Sequence, residues 1–199
     1  MSTIKTTNIT HGSNSGTNNL ILDNTGKVSI AQNKLSCPGT IIQVVQCIKN
    51  DTWVGNSVAE GGFSAVISGL TQSFTCSSTS NKALIQGSLH VENSIAGQWG
   101  CGAVITADGS DIAGATGNAR GSNRVRLHAH MPSMYLGGPL QLQYLHSPSS
   151  TSAITYGVKL WNGYTSASNL VLNYPSATDP DTNNSFTTAS TLLFMEIAG

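Results

Sequence analysis

Two histidines, His128 and His130, have the residue type and spacing that best fit a metal site in this sequence. They are two positions apart, and in a β-strand that spacing places both imidazoles on one face. If three copies of the chain met beside a three-fold axis, six ring nitrogens would surround one point, as octahedral iron or nickel prefers. The alternative is an ordinary pair of solvated or interface histidines, since Val125, Leu127 and Ala129 would form the opposite, apolar face in either case.

Arginines and tryptophans provide a second set of candidate contacts. Arg120, Arg124 and Arg126 are close in the chain, and guanidinium groups bind anionic groups through paired hydrogen bonds. They are therefore candidates for an anionic glycan or a subunit contact, with a polar sheet face and loop as the alternative. Trp53 is the tryptophan we expect at the surface, where it would stack on a sugar ring, whereas Trp161 is expected in or near the core.

The sequence has no pattern typical of catalysis. Its nine acidic residues are scattered, and the motifs GxSxG, HExxH and the phosphate-binding loop are absent. Asp108 and Asp111 offer carboxylates for calcium, but the EF-hand spacing is missing. The four cysteines are widely spaced, which favours buried, reduced thiols. We therefore expect no enzyme and no cofactor, apart from the transition metal that a three-fold axis would create at His128 and His130.

Charged residues make up only 9% of the 199 residues, and the net charge is zero. Ordinary globular proteins contain roughly 25% charged residues. A neutral chain of this kind is not expected to bind nucleic acid, and it is expected to associate with copies of itself. The sequence has no apolar run long enough to cross a membrane and no signal peptide, so neither a membrane nor export is expected.

Short β-branched or alternating segments separated by turn residues predict an all-β fold. A hairpin is predicted where Leu20–Leu22 and Val28–Ile30 flank a loop that ends in Gly26. Pro38-Gly39 marks a boundary between an N-terminal arm, residues 1–38, and a domain spanning residues 39–199. The predicted class is a two-sheet antiparallel sandwich, jelly-roll-like, with an extended arm that contains the hairpin. The domain strands are predicted at 41–48, 63–68, 83–91, 102–106, 124–130, 140–144, 154–161, 170–173 and 191–198.

Four segments of the chain carry a resemblance to a known group of proteins. These are the opening STIKTTNITHGSNSGTNNLILDNTGKVSI, then GTIIQVVQ at 39–46, SPSSTSAITY at 147–156 and STLLFMEIAG at 190–199. In order and spacing they resemble the β-rich virion structural proteins of marine tailed bacteriophages, especially cyanophages, which are often labelled tail-fibre proteins. The resemblance implies a particle component, commonly homotrimeric, without catalytic residues.

These observations predict a fibre-type virion protein that forms a homotrimer displayed on the particle and contacts the host surface. Its partners would be itself, other virion proteins through the arm, and a host surface glycan. The chain would be made in the host cytoplasm and used in the virion. Two alternatives remain: a capsid decoration or head-fibre protein that stabilises the capsid exterior, and a lectin-like binding module.

Overall fold

The chain is almost entirely β-structure in the part that the computed structural model describes. That part comprises residues 37–93, 100–118, 121, 124–131, 138–173 and 187–199, and the backbone of three short strands nearer the N-terminus. These strands, β1 (Asn8–Ile9), β2 (Leu20–Leu22) and β3 (Val28–Ile30), form a small antiparallel sheet. Leu20 lies opposite Ile30, so the hairpin predicted from the sequence is confirmed.

The remaining strands form two larger antiparallel sheets. Their bounds are β4 (Ile41–Lys49), β5 (Trp53–Val58), β6 (Gln72–Phe74), β7 (Lys82–Asn93), β8 (Cys101–Ala107), β9 (Ser110–Asp111), β10 (Ala129–Met131), β11 (Gly138–His146), β12 (Ile154–Asn162), β13 (Ser168–Leu172) and β14 (Ser190–Ile197). The helical structure within the described residues is one 3₁₀ turn, Ala113–Ala115. No helix there is long and apolar enough to cross a membrane.

In the described residues, the larger sheet is four strands wide. Strand β7 pairs with β11 along one edge, and with both β13 and β14, end to end, along the other. Strand β5 then pairs with β13, and β4 pairs with β14. Strands β4 and β5 are separated by only three residues and act as one long, interrupted strand. Strands β13 and β14 act as a second interrupted strand, because they pair with successive parts of β7.

The smaller sheet has the strand order β10, β8, β12 and β6, and β9 adds to the end of β8. Residues 63–67 continue the line of β6 beside β12 without forming a regular strand. Phe63 forms a bridge with Trp161, and the backbone N–H groups of Ser64 and Ile67 donate to Leu160 and Val158.

The strand pairing confirms the predicted jelly roll. If each interrupted strand counts once, the described residues from 37 onward form eight strands, and the first pairs with the eighth, the second with the seventh, the third with the sixth and the fourth with the fifth. This is the pattern of one long hairpin rolled into two sheets, and jelly rolls are built in this way from two Greek keys.

The core fills the space between the two sheets. Strand β14 alternates strictly, with Leu192, Phe194 and Glu196 buried and their neighbours partly exposed. The Phe194 ring lies 5.9 Å from that of Phe74 and 5.8 Å from that of Tyr156, which joins the two sheets through aromatic contacts. Alternation with period two therefore gives β14 one buried face, which packs into the core.

Two of the predicted strands are wrong. Only Ala129 and His130 of the predicted strand 124–130 lie in a strand, β10, and Val125, expected on the apolar face, is exposed. The segment 63–68 is irregular, as described above. Strands β5, β6 and β9 were not predicted, because they are short or carry few apolar residues.

A tight turn at Pro38-Gly39 precedes β4. The Thr40 N–H donates to the Cys37 carbonyl over 3.0 Å. Gly39 has a φ of +86°, a left-handed conformation that other residues rarely adopt. Gly39 also donates to Ala198 beside β14. The division into an arm at 1–38 and a domain at 39–199 stays a prediction.

Candidate functional site

The centre of the outer face of the larger sheet is uncharged across four strands. We use the name outer face for the side of β4, β14, β7 and β11 that points away from the core. Its centre consists of twelve residues in three cross-strand rows: Ile48, Thr191, Ser88 and Gln141; Gln46, Leu193, Gln86 and Gln143; and Val44, Met195, Leu84 and Leu145. None of them is acidic or basic, and all are partly or fully exposed. Such a surface suits a neutral partner.

A depression of about 530 Å³ lies over the middle of this face. Its lining residues come from all four strands and from the segment before β10: Gln46, Gln86, Gly87, Ser88, His128, Gln141, Leu142, Gln143, Thr191 and Leu193. Concave sites of roughly 300–1,000 Å³ are the usual size for small ligands. The depression is therefore the candidate functional site.

The glutamine side chains of the depression differ in their hydrogen bonding. Gln141 donates from Nε2 to the Ser88 hydroxyl over 2.9 Å, which orients its amide along the sheet. Within the described part of the chain, the side-chain amides of Gln46, Gln86 and Gln143 have no hydrogen-bond partner in the protein. Each amide offers two donors and one acceptor, so these three groups can bind a ligand.

His128 forms one rim of the depression and is fixed at both ring nitrogens. Its Nε2 accepts a 3.0 Å hydrogen bond from the backbone N–H of Gln143, which makes it an acceptor. Its Nδ1 lies 2.6 Å from the Ala115 carbonyl oxygen and must therefore be the protonated nitrogen of a neutral ring. The ring thus caps a backbone donor of β11, a strand with no partner on this side in the described residues.

The structure does not bring His128 and His130 together as ligands within one chain. His130 is exposed, and its ring lies 6.1 Å from that of Trp161, which is on β12 of the same smaller sheet. Among the described residues there is no cluster of three or more His, Cys, Asp or Glu side chains that could hold a metal. Metal binding by His128 would require it to release one of its two hydrogen bonds. The metal on a three-fold axis stays a prediction.

The other predicted contact residues are scattered. Arg124 and Arg126 are exposed, and neither makes an ion pair within the described residues, whereas Arg120 lies outside them. Trp53, expected at the surface, is only partly exposed and packs against the core. Trp161 is half-buried, and its Nε1 donates to the Gly61 carbonyl. Glycan binding by these residues stays a prediction.

The two aspartates considered for calcium already have protein partners. Asp108 accepts a hydrogen bond from the Thr155 N–H over 2.8 Å, and Asp111 forms a 3.0 Å ion pair with Lys159. Asp108 and Gly109 both have positive φ, so they form the tight turn between β8 and β9. Both carboxylates thus have a structural role in this turn.

The free edge of β4 is a second surface of interest. Strand β4 pairs with β14 on one side, and the described residues place no strand on its other side. Ile41, Val44 and Ile48 are 53%, 57% and 52% exposed. The single charged residue of β4, Lys49, is only 6% exposed, and its ammonium binds Asp51. This edge therefore lacks the charged side chains that usually protect an edge strand from pairing.

Sequence reasoning did not find the depression. The alternation Leu140-Gln141-Leu142-Gln143 predicted a strand with glutamines on one face, and this is confirmed by the buried leucines. The register of strands from distant parts of the chain places Gln143 in one row with Gln86, Leu193 and Gln46. The local sequence pattern does not contain this register.

Neither a protein-family model nor a curated protein matches the chain. Similar solved structures include the VP2 subviral particle of infectious bursal disease virus, with 13% identity and a TM-score of 0.40 over 78% of this chain and 41% of that one. The Gt strain of the same virus gives 13% identity and a TM-score of 0.40 over 96% of this chain and 52% of that one. The chain therefore spans about half, or less, of the proteins it resembles, and the jelly-roll assignment rests on its own strand pairing.

Proposed function

We propose that the chain is a non-enzymatic structural protein of a bacteriophage particle, of the fibre type, which forms a homotrimer displayed on the virion and attached through residues 1–38. The observation that carries this proposal is the apolar, uncharged free edge of β4. The resemblance of the sequence to phage virion proteins supplies the subunit number and the location.

The edge of β4 has the properties of a subunit contact. Its unpaired backbone groups can hydrogen-bond to a strand of another copy, and aliphatic side chains flank them. Edge strands that face water in a monomer usually carry lysines, prolines or bulges. Strand β4 has no lysine or proline over Ile41–Ile48, and its pairing shift against β14 is confined to Ile42, near the start of the strand.

The low charge of the chain supports the same conclusion. With nine basic and nine acidic residues in 199, little electrostatic repulsion opposes the approach of a second copy. Two pairs of charged groups are held in structural bonds, Lys49 with Asp51 and Lys159 with Asp111. None of these pairs lines the depression, which favours a binding or structural role over catalysis.

Light scattering on the purified protein at micromolar concentration tests the assembly. We expect the mass of a trimer for the natural chain and a lower mass for Val44→Lys, because a buried lysine at the contact would lose its hydration. Leu145→Lys is the matched control, since Leu145 is 45% exposed in the same cross-strand row but lies on the opposite edge strand. A monomeric natural protein would refute the proposed assembly.

Cryo-electron microscopy of particles that contain the chain tests its location. Density at a fibre or tail supports the fibre-type role. Density spread over the capsid exterior would replace that role with capsid decoration.

A further inference from the structure

We propose that the depression on the outer face is a binding site for a neutral saccharide, with Leu193 as its floor and the amides of Gln46, Gln86 and Gln143 as its hydrogen-bonding groups. This goes beyond the proposed function and does not depend on the oligomeric state. It assigns the glycan contact to residues different from the tryptophan and arginines suggested by the sequence alone.

The chemistry of the lining selects the class of ligand. The lining contains no lysine or arginine to bind an anion, and no carboxylate to bind a cation. A wholly apolar ligand would cover the unpartnered amides of Gln46, Gln86 and Gln143, which is unfavourable because buried polar groups then lose their hydrogen bonds. Hydroxyl groups both donate and accept, as amides do, so a neutral polyhydroxylated ligand fits this lining.

The order of residues across the sheet fits a sugar ring. Leu193 lies directly between Gln46 and Gln86 in one cross-strand row. Neighbouring strands are about 4.8 Å apart, so an amide stands on each side of a half-buried aliphatic side chain. A pyranose has an apolar C–H face and hydroxyls around its rim. In this site the C–H face would lie on Leu193, with the rim hydroxyls directed to the two amides.

The side of the depression formed by β11 extends the site. Gln143 lies beside Gln86 in the same row, and Gln141 is held by Ser88 in the next row. His128 fixes the backbone of Gln143 at the rim through its Nε2. These bonds hold the site in place before a ligand arrives, which lowers the entropic cost of binding. The extension gives room for a second sugar unit.

The location is compatible with assembly through β4. Pairing along the edge of β4 extends the sheet in its own plane and leaves the outer face uncovered. A saccharide site over Leu193 would therefore remain accessible in an oligomer formed in this way. Several such sites on one particle would bind a surface that carries many sugars with higher avidity than one site alone.

Saturation-transfer difference NMR on the full chain tests the site, because it reports on ligand signals whatever the size of the protein. The probes are the methyl glycosides of glucose, galactose, mannose and N-acetylglucosamine, together with lactose and maltose. We expect at least one of them to bind, with ring C–H protons receiving the strongest saturation. Gln86→Leu and Gln46→Leu should each weaken binding roughly tenfold, the effect of losing a hydrogen bond of about 1.4 kcal/mol.

Gln72→Leu is the control, because Gln72 lies on β6 in the smaller sheet and bonds to its own neighbour Ser73. It should leave binding unchanged, and circular dichroism of each variant verifies the fold. Three results would overturn the site: no probe binds, binding survives unchanged in both Gln86→Leu and Gln46→Leu, or Gln86→Leu, a change on β7 away from the contact edge, reduces the oligomer mass because a second copy occupies the depression. A monomeric protein that binds sugar would refute the assembly and leave the saccharide site supported.

Discussion

The side-chain oxygen of Asn173 accepts a 2.6 Å hydrogen bond from the hydroxyl of Ser190, at the point where β13 ends and β14 begins. Both residues are buried. The Asn173 amide also donates to the carbonyls of Lys49, at 2.8 Å, and Asp51, at 3.1 Å, where β4 gives way to β5. One side chain thus joins the two interruptions that lie side by side in the larger sheet, and it satisfies backbone groups that have lost their strand partners.

Removal of the Asn173 side chain is expected to destabilise the domain by about 2–4 kcal/mol, since buried carbonyls would lose their donors. Asn173→Gly is the suitable change, because Asn173 has a φ of +66° that glycine adopts without strain. Ser190→Ala should cost about 1–2 kcal/mol. Urea denaturation measures both. The double variant should lose less than the sum of the two, and full additivity would show that the bonds act independently.

Glu196 is a buried carboxylate held by neutral donors. Its Oε1 accepts hydrogen bonds from the Ser77 hydroxyl at 2.7 Å and the Asn81 amide at 2.6 Å, and from the Ser77 N–H. Burial acts to raise the pKa of Glu196, but these bonds outweigh it, and the pKa lies below the ordinary value. The folded state therefore favours the charged form.

Because the folded pKa of Glu196 is lowered, its contribution to stability is present above the unfolded pKa of about 4.3 and is lost as pH falls through the folded value. We expect Glu196→Gln to lower the free energy of unfolding by about 1–2 kcal/mol at pH 7, where charge-assisted bonds are lost. As the pH falls below about 4.3 and through the folded pKa, the two proteins should converge. Denaturant titrations across pH 3–7 measure this difference, and a constant gap between the curves would contradict the assignment.

The parts of the fold that follow from local pattern were predictable from the sequence. Leu20–Leu22 and Val28–Ile30 pair around a short loop, and Leu140 and Leu142 alternate with exposed glutamines, so each signal lies within a few residues. The strand predicted at 124–130 was wrong over most of its length. The His128 ring there is bound to the backbone of Ala115 and Gln143, and the alternation of apolar and polar residues does not indicate these two contacts.

The candidate site was not predictable for the same physical reason. Gln46, Gln86, Gln143 and Leu193 come from four separate strands, and a shift of any strand by one residue would turn its side chain into the core. Their meeting depends on the rolled pairing of the whole chain. Local composition showed only that the surface would be rich in amides and poor in charge.

His146 and Tyr156 form a hydrogen-bonded pair at the edge of the core, with 2.8 Å between Nδ1 and the phenol oxygen. Burial lowers the pKa of His146, and burial raises the pKa of Tyr156, with Cys76 and Asp108 adding to the effect. The unfolded chain therefore takes up a proton at His146 near pH 6.5, whereas the folded chain resists protonation. Stability should fall as pH drops below about 6.5 and level off below the folded pKa.

His146→Phe should reduce this loss of stability between pH 7 and 5, as measured by denaturant titration. Part of the loss should remain, because burial also lowers the pKa of His90. Tyr156→Phe is the matched comparison: it removes the hydrogen bond but keeps a partly buried histidine, so stability should be lower and still pH-dependent. An unchanged slope in His146→Phe would show that the histidine is not the titrating group.

The four cysteines are free in the structure; Cys37 is exposed, Cys47 is partly exposed, and Cys76 and Cys101 are buried, which predicts thiols of different reactivity. Burial raises the pKa of Cys101 to about 12, so at pH 8 almost none of it is the reactive thiolate. Cys37 is exposed and should react first with a thiol reagent such as DTNB in the native protein, while Cys101 should wait for unfolding. Cys37→Ser should remove the fast phase and lower the count in denaturant without reductant from four to three. Persistence of the fast phase would place the reactive thiol elsewhere, and a count of two in the natural chain would mean that a disulfide forms.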